Sequence, residues 1–73
     1  MVLAVEVNGY KIEPGADLSG VDLAGADLSG ADLTEAFMIR AEGNDVDFSG
    51  ANLTGANIFQ GYLENANLSG ANL

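Results

Sequence analysis

From Ala16 to Leu73 the sequence repeats every five residues without a break in frame. It reads ADLSG, VDLAG, ADLSG, ADLTE, AFMIR, AEGND, VDFSG, ANLTG, ANIFQ, GYLEN, ANLSG and a closing ANL. The first position is small and apolar, the third is usually large and apolar, and a Ser/Thr-Gly pair often follows. This period excludes a helix. Five residues at ~100° each advance by roughly 500°, so the leucines would wind around the cylinder and form no stripe. Glycine at many fifth positions opposes a helix as well. A strand fits locally, with positions one and three on one side and position two on the other. Ser-Gly then turns the chain, because glycine tolerates the dihedrals of a tight corner. A strand and a corner every five residues make a four-sided coil of about 20 residues, and successive coils stack at about 4.8 Å.

An unbroken tandem of A(D/N)LxG resembles the pentapeptide-repeat proteins. The resemblance implies an all-β fold, a right-handed quadrilateral β-helix over residues 16–73, here of about three coils. It implies that the third residue and the one two before it point inward. The inward centres are then Leu18, Leu23, Leu28, Leu33, Met38, Phe48, Leu53, Ile58, Leu63, Leu68 and Leu73. The small inward residues run from Ala16 and Val21 to Ala66 and Ala71. Gly43 and Gly61 depart from this pattern, and a void or bulge is expected beside Gly43. Stacking at 20 residues sets Leu18–Met38–Ile58, Leu23–Gly43–Leu63, Leu28–Phe48–Leu68 and Leu33–Leu53–Leu73 in four columns.

The ends differ. Leu3–Ile12 alternates apolar and polar residues around Asn8-Gly9, the strongest short hairpin signal. Residues 1–15 are therefore expected to form a β-hairpin cap, its apolar side over the open top of the coil, with Pro14-Gly15 turning into the repeat. A cap is needed because a bare coil presents unpaired backbone groups and apolar residues. At the other end the sequence stops within a repeat. Two expectations follow: a fragment of a longer repeat protein, or self-association through the uncapped C-terminal coil across a two-fold axis.

Composition narrows the chemistry. The 73 residues contain no cysteine and no histidine, which removes thiolate chemistry, the commonest general base and the commonest transition-metal ligand. Eleven Asp and Glu against two Lys and Arg give a net charge of −9, which repels nucleic acid and anionic membrane and favours a basic partner. With 48% hydrophobic residues the chain is too apolar for a disordered acidic tail. Neither a signal peptide nor an apolar run near 20 residues is legible, so a cytoplasmic protein is expected. No cofactor and no metal site is expected, since two stacked carboxylates such as Asp27 and Asp47 make no closed calcium cage. Serines have no base beside them, and a filled solenoid offers no cleft, so no enzyme is expected.

Two surfaces stand out. Asp17, Asp22, Asp27, Asp32 and Asp47 form an acidic face. The family resemblance implies that such a face can mimic DNA toward a topoisomerase such as DNA gyrase; the competing reading is that Asp and Asn there serve solubility and local hydrogen bonds. The second surface is apolar. Phe37, Ile39, Phe59 and Tyr62 occupy outward positions that elsewhere hold mostly Asp, Asn, Ser and Thr, with Arg40 at the corner beside them. Exposed aromatic and aliphatic groups with one arginine have the composition of a protein-interaction surface. The expected role is a non-enzymatic structural or protein-interaction module.

Overall fold

Every fifth residue from Gly15 to Gly70 sits in the left-handed region of backbone space, with φ between +55° and +74°. At each of these corners the first residue of one repeat donates its N–H to the third residue of the repeat before it. The series runs from Ala16 N to Glu13 O at 3.1 Å to Ala71 N to Leu68 O at 3.0 Å. A bond across four residues with positive φ only at the third is the type II turn, which glycine fits without steric cost. Pro14-Gly15 supplies the favoured pair at the first corner. In the computed structural model, which describes residues 5–73, these corners join three-residue extended pieces that pair through one central bridge residue each and are too short to count as strands.

The corners bring the chain back beside itself every twenty residues. Parallel bridges join Asp17 to Phe37 and Phe37 to Asn57, Asp22 to Glu42 and Glu42 to Tyr62, Asp27 to Asp47 and Asp47 to Asn67, and Asp32 to Asn52 and Asn52 to Asn72. Leu18 N donates to Phe37 O, Phe37 N to Ala16 O at 2.8 Å, and Gly20 N to Ile39 O at 2.9 Å, and this set recurs along the repeats. The fold is a β-helix. Its interior is filled by Leu18, Leu23, Leu28, Leu33, Met38, Phe48 and Leu53, all buried, with Ala16, Ala26, Ala36, Ala41, Val46 and Ala51 between them. Burying each large side chain contributes roughly 1.5–3 kcal/mol. The inward centres of the last twenty residues are less covered. Ile58, Leu63 and Leu68 are half-buried and Leu73 is exposed, as the last row of the described residues.

At the N-terminal end β1 (Val5–Val7) pairs antiparallel with β2 (Tyr10–Ile12), Val5 opposite Ile12 and Val7 opposite Tyr10. Asn8 and Gly9 both have positive φ, as the tight turn between such strands demands. Ile12 is buried in the core cluster and Val7 packs against it, whereas Tyr10, expected on the covered side, stays exposed. Leu3, the expected start of the hairpin, lies outside the described residues.

The void expected at Gly43 is absent. A Cβ there would lie 2.9 Å from Leu63 Cδ2 and 3.1 Å from Tyr62 O, with the Phe48 ring at 3.9 Å. The side chain of the next row, Leu63, occupies the space, and Gly43 N still donates to Tyr62 O at 2.7 Å, so the ladder runs through without a bulge. Gly61 has a different cause. A Cβ there would meet Ile58 Cγ2 at 2.8 Å and Ile58 O at 3.1 Å. Ile58 is the one β-branched residue at a third position, and its extra methyl fills the place that alanine takes at other corners.

Two predictions follow from these corners. Gly61→Ala should lower stability by roughly 1–2 kcal/mol through overpacking, and adding Ile58→Leu should recover most of it. Additive losses in that double-mutant cycle, measured by thermal melts, would contradict the assigned contact. At the fifth positions Glu35 holds φ +59° and Gly30 φ +70° with open space around its missing Cβ. Gly30→Ala should cost, and Glu35→Gly should gain, about 0.5–1 kcal/mol. A smaller gain for Glu35→Gln separates the backbone effect from the lost charge.

Candidate functional site

The ordinary second position is an acceptor. Asp17 Oδ1 accepts the Ser19 N–H at 3.1 Å, Asp22 Oδ1 that of Ala24 at 3.0 Å, and Asp47 Oδ1 that of Ser49 at 2.9 Å. Asp27 and Asp32 also accept the hydroxyls of Ser29 and Thr34, each at 2.6 Å. Asn52, Asn57 and Asn67 accept the backbone N–H of Thr54, Phe59 and Ser69 through Oδ1. Each bond satisfies the N–H that precedes the corner residue, so the side chain braces its own turn. An amide oxygen serves as well as a carboxylate, which is why Asp and Asn interchange here. The hydroxyl bond, then the backbone bond, holds the carboxyls of Asp27 and Asp32 below the ordinary aspartate value. The five residues of the expected acidic face thus all bear on local turn geometry. They do not gather on one side: Asp17, Asp22, Asp27 and Asp32 lie in four separate columns, and only Asp27 and Asp47 share one.

Three second positions break the rule: Phe37, Glu42 and Tyr62. Phe37 lies between Asp17 and Asn57 in its column, and Tyr62 follows Glu42 in the next. Phe37, Phe59 and Tyr62 are 48%, 64% and 60% exposed. Ile39, expected to face solvent, is instead half-buried. Phe59 is its counterpart twenty residues on, and the Arg40 N–H donates to Phe59 O at 2.9 Å. Ile39 is therefore a half-buried neighbour of the patch rather than one of its outward side chains. Tyr62 cannot brace its own turn, and Asn44 of the preceding row takes over, its Oδ1 accepting the Glu64 N–H at 2.9 Å.

The corner beside the aromatics carries a contact that the sequence reading missed. Arg40 Nε donates to Gln60 Oε1 at 2.9 Å, and these two side chains with Gly61 and Tyr62 line a shallow depression. The signal was available, since Gln60 stands twenty residues after Arg40. Backbone strain follows the same outline. Five fifth-position residues other than glycine adopt positive φ: Glu35, Arg40, Asp45, Gln60 and Asn65. They bound the four repeats AFMIR, AEGND, ANIFQ and GYLEN. Asn and Asp tolerate this region, but for Glu, Arg and Gln it costs roughly 1 kcal/mol each.

The bracing aspartates give a pH prediction. A carboxyl held below its unfolded value stabilises the fold above that value, about 3.9, and the benefit fades as the pH falls through the folded value. An Asp27→Asn/Asp32→Asn variant keeps the acceptors without the titration. Its melting temperature should match wild type near pH 7 and exceed it below about pH 3. Parallel acid profiles for the two proteins would refute the bracing role.

Among the described residues no helix is long and apolar enough to cross a membrane. No curated protein matches the sequence. A family model described as pentapeptide repeats matches in 8 copies, over residues 15–42, 22–58 and 47–73. Those segments run from Gly15 through Leu73, well beyond half of the sequence, and the chain belongs to the pentapeptide-repeat family.

Proposed function

We propose that this chain is a non-enzymatic, cytoplasmic protein-interaction module built on a right-handed, four-sided β-helix of about three coils under a hairpin cap. The twenty-residue spacing of the parallel bridges supports the coil, since twenty residues hold four pentapeptides. The absence of histidine and cysteine from the sequence, and an interior filled by leucines, Met38 and Phe48, support a binding role over a catalytic one. The observation that carries the reading is the exposed set Phe37, Phe59 and Tyr62, with half-buried Ile39 and exposed Arg40 in the same repeat as Phe37. Three solvent-facing aromatics on adjacent columns have the composition of a contact surface. Phe37 and Tyr62 sit where the bracing acceptor has been given up, and all three aromatics lie in repeats that end on non-glycine corners, two local costs that a purely structural repeat avoids.

The competing reading, an acidic mimic of DNA that binds a topoisomerase, places contact on the aspartates. A photo-crosslinking amino acid placed at position 37 or 59, and in parallel at 27 or 32, separates the two in the cells that make the protein. Discrete adducts from 37 and 59 with none from 27 and 32 are expected. Adducts from 27 and 32, together with inhibition of gyrase supercoiling that is lost in Asp27→Ala/Asp32→Ala, would replace this reading with the mimic.

A further inference from the structure

We infer that the Phe37–Tyr62 surface takes a basic peptide segment with apolar anchors: aromatic or aliphatic side chains that seat on Phe37, Phe59 and Tyr62, flanked by Lys or Arg. This inference rests on the contact surface proposed above and adds the chemistry of the occupant. Two of the three outward aromatics, Phe37 and Tyr62, have carboxylates as neighbours. Phe37 is bridged to Asp17 in the row above and lies two residues after Glu35. Tyr62 is bridged to Glu42 and lies two residues before Glu64. Rows stand about 4.8 Å apart, so a lysine or arginine beside a seated anchor reaches a carboxylate without stretching. An apolar centre whose rim carries four carboxylates against the single Arg40 selects positive charge on the partner and speeds its encounter.

The charge of the whole molecule weighs against other occupants of this patch. At −9, with two cations against eleven acids, it repels nucleic acid, and a second copy would set carboxylates against the carboxylates beside Phe37 and Tyr62. Arg40 does not reverse this. Its Nε is engaged by Gln60 Oε1, which turns the guanidinium along the corner and leaves its remaining N–H groups for a backbone carbonyl of the incoming segment.

A randomised peptide library of about 12 residues, long enough to cross two columns at about 3.3 Å per residue, panned on the full chain tests the inference without presuming a sequence. The enriched peptides should combine aromatic or aliphatic anchors with Lys or Arg. By fluorescence polarisation they should bind Phe59→Ala/Tyr62→Ala at least tenfold more weakly, weaken further with added salt, and be unaffected by Asp27→Asn/Asp32→Asn. Phe59 and Tyr62 are solvent-facing, so circular dichroism should show the double variant folded. Enriched peptides that need Phe59 and Tyr62 but are neutral or acidic would overturn the basic occupant and leave the contact surface standing. Peptides that bind both proteins equally, or no enrichment at all, would overturn the inference and the surface together.

Discussion

The structure depends on one repeated backbone constraint: a left-handed residue every fifth position, closed by a bond from the N–H of the next residue to the carbonyl two before the corner. Without that bond the extended pieces, three residues each, are too short to pair with anything for long. With it, the chain keeps phase. Phase is what delivers residue 37 beside residue 17 and residue 57 beside residue 37, and so lets parallel pairing form between segments twenty residues apart. Core filling follows from phase, because every third-position side chain then arrives at the same depth. The order of dependence matters for energetics. The leucines supply the larger favourable term, at roughly 1.5–3 kcal/mol each, but they can be buried together only if the corners place them.

The corner also explains the outer surface. Its second turn residue has an N–H that neither the turn nor the next row satisfies, and the Asp or Asn two residues earlier accepts it. This local bond makes acidity a by-product of the fold. The carboxylates of Asp17, Asp22, Asp27 and Asp32 need no ligand to account for them, and Asn52, Asn57 and Asn67 do the same work without charge. What does need an account is the loss of the acceptor at Phe37 and Tyr62.

Much of this was legible in the sequence. The unbroken frame fixed which residues face inward, the twenty-residue columns, and the stacking of Asp27 on Asp47. Other features were hidden because they depend on how side chains of unequal size share space, within a column or across a corner. Gly43 reads as a missing side chain, yet Leu63 of the next row fills its place. Gly61 reads as a second defect, yet it makes room for the branched Ile58 across the same corner. Ile39 reads as exposed by parity, but it is half-buried. Positive φ at Glu35, Arg40 and Gln60 contradicts residue preference, and only the demand of the frame overrides it. Pattern gives the direction of a side chain; it does not give what the adjacent row leaves free.

The departures from the repeat are not scattered, and their clustering is the strongest argument that they are connected. Had drift produced them, the non-glycine corners would fall anywhere along the chain. They fall instead at the edges of the four repeats that hold Phe37, Ile39, Gly43, Phe59 and Tyr62. Several are mutually compensating: Gly43 with Leu63, Gly61 with Ile58, Asn44 with the Glu64 N–H, and Arg40 with Gln60. Compensation of this kind keeps the backbone on its track while the outer side chains change character. The frame tolerates it because each corner is closed by its own turn bond, so strain at one costs roughly 1 kcal/mol and does not spread along the coil. A fold in which corners are independent can thus convert one patch of its surface from acceptors to aromatics and leave the leucine columns beneath it intact.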